Sequence, residues 1–292
     1  MTIKEIDEAL EEGSSLKQIA QSYTEIANLK IKKIRSEVER NRVFFEEISK
    51  VYALIKKLAS DKKVNIQKPK KTISLIITSN YRFYGSINSD LIDFFIKTTQ
   101  KIKTDRVLLG KAAVDFFRAS PIFQPKAGRP MDDKDYQTVL LQTDQPTQDE
   151  LLKLVDMIKD YNQVLIFYSS MKSLMTQQPT MTDLTASNSD ARALENSKER
   201  ENEFKFILEP ELSKILHFFD SQIITLLLEG TFLESELSRT ASRFISMDTA
   251  ETEANKFISE FEKLKAFSKR SADNNVILEN FASMAVLRRG GN

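Results

Sequence analysis

The placement of proline and glycine divides this chain before any other feature is read. All seven prolines fall between Pro69 and Pro210, and outside that window glycine occurs only as Gly13, Gly230, Gly290 and Gly291. A proline inside a helix costs about 3 kcal/mol and a glycine about 1 kcal/mol relative to alanine, so both chain ends are free to form long uninterrupted helices. The reading is a helical arm over 1–68, a mixed middle over 69–210 and a second helical arm over 211–292.

Periodicity supports the arms. Apolar or small residues recur at Ile3, Ile6, Leu10, Gly13, Leu16, Ala20, Tyr23 and Ala27, and again at Leu237, Ala241, Phe244, Met247, Ala250, Ala254, Phe257, Phe261 and Leu264. Alternating steps of three and four average close to 3.5 residues, the spacing that keeps one stripe against a partner in a left-handed supercoil. At 1.5 Å per residue the arms would reach roughly 80–110 Å, so part of that length is expected to project, and arms at opposite chain ends are expected to pair antiparallel.

The middle reads as α/β. Strands are predicted at Thr72–Thr78, Arg106–Leu109, Thr138–Leu141, Gln163–Tyr168 and Phe204–Leu208. Helices are predicted at Ser89–Thr99, through Ala112, Val114, Phe116 and Phe117, and at Glu150–Lys159. Strands alternating with helices argue for a mostly parallel sheet of about five strands covered on both faces. Thr176 to Asn202 is polar and poor in aliphatics, and is expected to be a surface loop.

Composition removes most catalytic chemistry. Forty-three Lys+Arg against 42 Asp+Glu leave a net charge of +1, unlike a protein that binds nucleic acid through phosphates. The absence of cysteine excludes disulfides, thiol nucleophiles and cysteine-ligated metal, and a single histidine, His217, excludes two-histidine sites. His217 lies in an apolar run and is read as a helix residue rather than a base. The turn after the first strand, Ser79-Asn-Tyr-Arg-Phe-Tyr-Gly85, has one glycine where a phosphate cradle needs several, and neither GxGxxG nor GxxxxGK[ST] occurs. No cofactor or metal is expected. Carboxylates near the N-terminus are wrong for a targeting peptide, and no 18-residue apolar run predicts a transmembrane segment. A soluble intracellular protein is therefore expected. The run Lys30-Ile-Lys-Lys-Ile-Arg35 reads either as a solvated helix face or as a cationic contact for an acidic partner.

Beyond this layout, individual motifs resemble the gamma subunit of F-type ATP synthases. Lys4-Glu5-Ile6 opens an arm similar to that family's N-terminal helix, with Ile19, Ala27 and Lys30 where the family commonly has Ile, Ala and Lys. Ile76-Ile-Thr-Ser79, Gly85, Asn88 and Leu91 resemble its strand, Ser-Asp-Arg-Gly-Leu-Cys-Gly turn and Asn-x-x-Leu helix start. Val164–Ser170 through Met175, Gln178, Pro179 and Leu184 resemble its strand and Met-Ser-Gln-x-Pro turn, and Glu209-Pro210 its entry to the last helix. Glu234, Ser238, Arg243, Met247, Ala250 and Ala254 follow the family spacing. Two departures stand out. The turn is Asn80-Tyr-Arg-Phe-Tyr-Gly85, bulkier than usual, and Arg239 stands where the family usually has Glu.

The resemblance implies a long antiparallel coiled coil of N- and C-terminal helices flanking a Rossmann-like α/β domain. It implies a non-catalytic rotor shaft of a proton-translocating ATP synthase, at the cytoplasmic face of a bacterial inner membrane. Implied partners are the alpha and beta subunits of the catalytic head, the epsilon subunit and the membrane c-ring. Implied head contacts are Ile19, Tyr23, Ile26, Lys30, Lys32, Lys33, Lys269, Arg270 and Glu279; Leu208, Glu209 and Pro210 would meet the c-ring and epsilon. The alternative is a coiled-coil adaptor that kept the architecture and lost the rotor role.

Overall fold

The computed structural model describes residues 1–61, 71–119, 136–184 and 211–289. They pack as two units, one of 1–28 with 244–292 and one of 29–243. Two long helices contribute to both: α1, Ile3–Asp61, and α5, Leu212–Arg289.

In the first unit α1 and α5 run antiparallel. Asp7 pairs with Lys265 at 2.7 Å, Gly13 meets Phe257, and the Gln21 amide donates to Glu251 at 2.7 Å. Partners thus descend along α5 as they ascend along α1. Within the first unit the buried α1 positions are Ile6, Gly13, Ala20 and Ala27, a strict seven-residue repeat. Such a repeat suits a left-handed supercoil, and its small residues let the backbones approach closely. The seam does not follow every predicted position. Leu16 is 63% exposed and Lys17 half-buried, because the step after Gly13 is four residues rather than three.

The second unit holds a five-stranded sheet ordered β3-β2-β1-β4-β5. Its elements are β1 (Thr72–Ile77), α2 (Ile87–Thr99), β2 (Asp105–Leu109), α3 (Lys111–Ala119), β3 (Gln137–Val139), α4 (Gln148–Ile158), β4 (Gln163–Ser173) and β5 (Thr176–Asp183). The first four strands are parallel. Alternation along the strands sorts the core into two faces. Ile73, Leu75 and Ile77 of β1 point with Val164 and Ile166 toward α4 and toward Ile224, Leu228 and Phe232 of α5. Ile76, Leu108, Leu165 and Phe167 point the other way, onto Leu91 and Phe95 of α2 and Val114 and Phe117 of α3. Helix α4 starts at a capping box in which Thr147 and Glu150 satisfy each other's backbone N–H groups.

One expectation is corrected. The predicted loop from Thr176 begins instead as β5, an antiparallel edge strand paired to β4 from Ser173–Thr176 to Leu165–Asp183. A polar strand escapes an apolar pattern, and an edge position tolerates Pro179, which lacks a ladder N–H. The fifth strand expected at Phe204–Leu208 lies outside the described residues, as do Leu208, Glu209 and Pro210.

Candidate functional site

In an open α/β sheet, ligands bind beyond the carboxyl ends of the strands, where the strand order reverses. Here that point lies between β1 and β4, and the chain's own helix fills it. The turn after β1 lays buried Tyr84 against α5: the Ser242 hydroxyl donates to the Tyr84 carbonyl at 2.7 Å, and the Arg243 guanidinium carbon lies 4.1 Å from the centre of the Tyr84 ring. From the middle of β4, level with the carboxyl end of β1, the Tyr168 hydroxyl donates to Glu234 of α5 at 3.0 Å. A crevice that elsewhere admits a nucleotide is closed by protein side chains.

The closure is polar and buried. Asp144, in the β3–α4 loop and 4% exposed, accepts from the Asn80 amide N–H and from the Tyr84 hydroxyl, both at 2.6 Å. Arg239 donates to the Asp144 carbonyl at 3.2 Å, to Ser235 Oγ at 2.9 Å and to Glu236 at 3.1 Å. Glu236 also pairs with Lys30 of α1. Burial alone would raise the Glu236 pKa, but Arg239 and Lys30 outweigh it and hold the carboxyl below its usual range. Burial first, then Asp144, pushes the Tyr84 hydroxyl far up, keeping it a neutral donor. Asp144 was not legible in the sequence, since no motif marks it and it lies far from Asn80 along the chain. Arg239, by contrast, stood out as a departure, and the structure gives that departure its partners.

The anticipated contact residues divide between the two units. Ile19 and Ile26, 53% and 56% exposed, share the first unit with half-buried Tyr23 and with exposed Lys269, Arg270 and Glu279 on α5. Every residue from Lys269 to Met284 is exposed, including Leu278 and Phe281. Lys30, Lys32 and Lys33 belong to the second unit. Lys30 is engaged with Glu236, whereas Lys32 and Lys33 face solvent, Lys33 within 4.0 Å of Glu37. Among the described residues no group of His, Cys, Asp or Glu is placed to hold a metal, and no helix is long and apolar enough to cross a membrane.

The family model described as ATP synthase matches residues 2–270. The chain belongs to this ATP synthase family. An ATP synthase gamma chain from Staphylococcus saprophyticus is 22% identical over 273 residues, covering 88% of this chain and 89% of that relative. Among solved structures, a chain of the Euglena gracilis mitochondrial ATP synthase, in a structure of OSCP, F1 and c-ring, aligns over 99% of this chain and 95% of its own with a TM-score of 0.63 and 15% identity. A chain of the Tetrahymena thermophila mitochondrial ATP synthase central stalk and c-ring aligns over 80% of this chain and 99% of its own, with a TM-score of 0.55 and 19% identity. The gamma-like fold of this ATP synthase family member is thus the expected one, with terminal helices and a five-stranded, mostly parallel sheet.

Proposed function

We propose that this chain is the non-catalytic central-stalk shaft of a proton-translocating ATP synthase. Its rotation would present a different side to each catalytic beta subunit in turn and shift the binding equilibria of the sites. The observation that carries this reading is the first unit. Its two antiparallel helices are zipped by Ile6, Gly13, Ala20 and Ala27, while Leu16, Ile19, Ile26, Phe267 and Phe281 stay uncovered. An apolar outer face without fixed polar partners suits a shaft that turns inside a collar of alpha and beta subunits.

In this reading Ile19, Tyr23, Ile26, Lys269, Arg270 and Glu279 face the head, and Lys32 and Lys33 meet acidic loops of the beta subunits. Residues 1–68 and 211–292 are the shaft and 69–210 the α/β domain, with Leu208, Glu209 and Pro210 toward the c-ring and epsilon subunit. The protein works at the cytoplasmic face of a bacterial inner membrane, held there through its partners. Co-purification from the native membrane tests the assignment. One copy per hexamer of alpha and beta subunits is expected; an isolated chain that binds neither subunit would refute it.

A further inference from the structure

The closed crevice joins five segments through one connected set of polar bonds whose centre is buried. Lys30 of α1 holds Glu236 of α5, Glu236 holds Arg239, and Arg239 holds the Asp144 carbonyl. The Asp144 carboxylate then holds the Asn80 amide and the Tyr84 hydroxyl in the β1–α2 loop. Asn80 extends the set further: its side chain accepts from the Lys111 amide at 2.9 Å at the start of α3, and donates to the Leu141 and Thr143 carbonyls at 3.1 and 2.9 Å. Asp144, Tyr84, Ser235, Glu236 and Arg239 are each under 5% exposed, so the bonds among these five act where water cannot easily replace them, while the Asn80 bonds carry the set out toward the surface.

Resting on the rotor reading, we propose that Arg239 is a positioning residue for torque transfer, fastening the loops at the carboxyl edge of the sheet to α5. Three features single it out. Its planar fork reaches Ser235 and Glu236 on its own helix and the Asp144 carbonyl on the sheet domain, a span that a point-like ammonium cannot cover. It sits on the helix that also carries the exposed apolar residues of the proposed shaft. A carboxylate in its place would face Glu236 and the Asp144 carbonyl without a donor, so Arg239 and the bulky Asn80–Gly85 turn form one matched arrangement. The ordinary place for a ligand in this fold is thereby used as a mechanical joint.

Hydrogen exchange on the full-length chain tests the joint, and the assembled complex tests its purpose. In Arg239→Gln the Asn80 and Lys111 amides, neither of which touches Arg239, are expected to exchange faster, with Arg239→Lys intermediate. Tyr84→Phe removes one bond to Asp144 and serves if Arg239→Gln fails to fold. If both fold, their combined effect at Asn80 is expected to be less than additive, since both act through Asp144. In reconstituted vesicles, Arg239→Gln is expected to lower ATP-driven proton pumping relative to ATP hydrolysis, whereas mere loss of assembled complex would lower both together. Unchanged exchange at Asn80 and Lys111, additive effects, or an unaltered ratio of pumping to hydrolysis would overturn the proposal. Failure of the rotor reading would show separately, as wild-type chain that does not assemble with alpha and beta subunits.

Discussion

Glu236 and Arg239 form an ion pair of 3.1 Å in which each side chain is 1% exposed. They sit one helical turn apart on α5, with Lys30 of α1 on the other oxygen of the carboxylate. Removing one partner of a buried pair leaves an uncompensated charge, and here Glu236→Gln would strand Arg239, while Lys30, 41% exposed, can turn to solvent. The loss is expected to be about 3–5 kcal/mol at neutral pH, read from urea unfolding. The pH dependence has a definite sign. The Glu236 pKa is depressed in the folded chain, so its contribution is present above the ordinary carboxylate range and is lost as pH falls through the folded value. Glu236→Gln should flatten that part of the acid limb.

Glu234, two residues earlier, behaves in the opposite way. Burial raises its pKa, and the hydrogen bond from Tyr168 only partly offsets this. The folded state therefore favours the protonated carboxyl, and stability is expected to fall as pH rises from the ordinary carboxylate range through the raised value. Tyr168 itself, buried beside Glu234, is pushed up to about 12 and stays a donor at neutral pH. Glu234→Gln keeps an acceptor for Tyr168 and removes the buried charge. Thermal unfolding at neutral pH should show a gain in stability, and comparison across mildly acidic pH should show that the gain shrinks.

Gly13 marks a close approach of the two helices in the first unit. A Cβ there would lie 2.9 Å from Phe257 Cδ1 and 3.2 Å from Ile258 Cγ1, and Phe257 is held by stacking on Phe261 at 4.2 Å. Alanine would recover about 1 kcal/mol of helix propensity, which the crowding opposes. Valine exceeds what the seam can absorb. Gly13→Val is expected to destabilise the first unit by about 1–3 kcal/mol, visible as faster hydrogen exchange in 3–28 and 244–270, and Phe257→Leu should restore part of the loss.

Lys32 and Lys33 are exposed on α1 and, among the described residues, make no buried bond. Reversing both to Glu should leave the unfolding midpoint nearly unchanged, since surface charges contribute little to stability. Proton-driven ATP synthesis in reconstituted vesicles should nevertheless fall if these cations meet acidic loops of the head. Unchanged synthesis would remove them from the contact surface.

The architecture was largely legible because its strongest determinants are local. Absence of proline and scarcity of glycine before Pro69 and after Pro210 foretold two long helices, and the apolar runs at Thr72–Ile77 and Gln163–Tyr168 foretold the central strands. Strand β5 was not legible: Thr176–Asp183 owes its pairing to β4 rather than to apolar alternation. Leu16 was misplaced because a stripe of threes and fours leaves the order of steps open, and only packing around Gly13 decided it. The joint at Asp144 was hidden for a different reason. Its partners Asn80, Tyr84 and Arg239 are distant along the chain, and hydrogen bonds between distant segments leave no period to detect.

The central claim is that this chain turns as a shaft inside the catalytic head. It is tested most directly by fixing alpha and beta subunits assembled with this chain to a surface, attaching a bead to an exposed position of α2, and adding ATP. Continuous rotation of the bead in one direction is the predicted result. An intact, ATP-hydrolysing assembly whose bead only fluctuates about a fixed angle would contradict it.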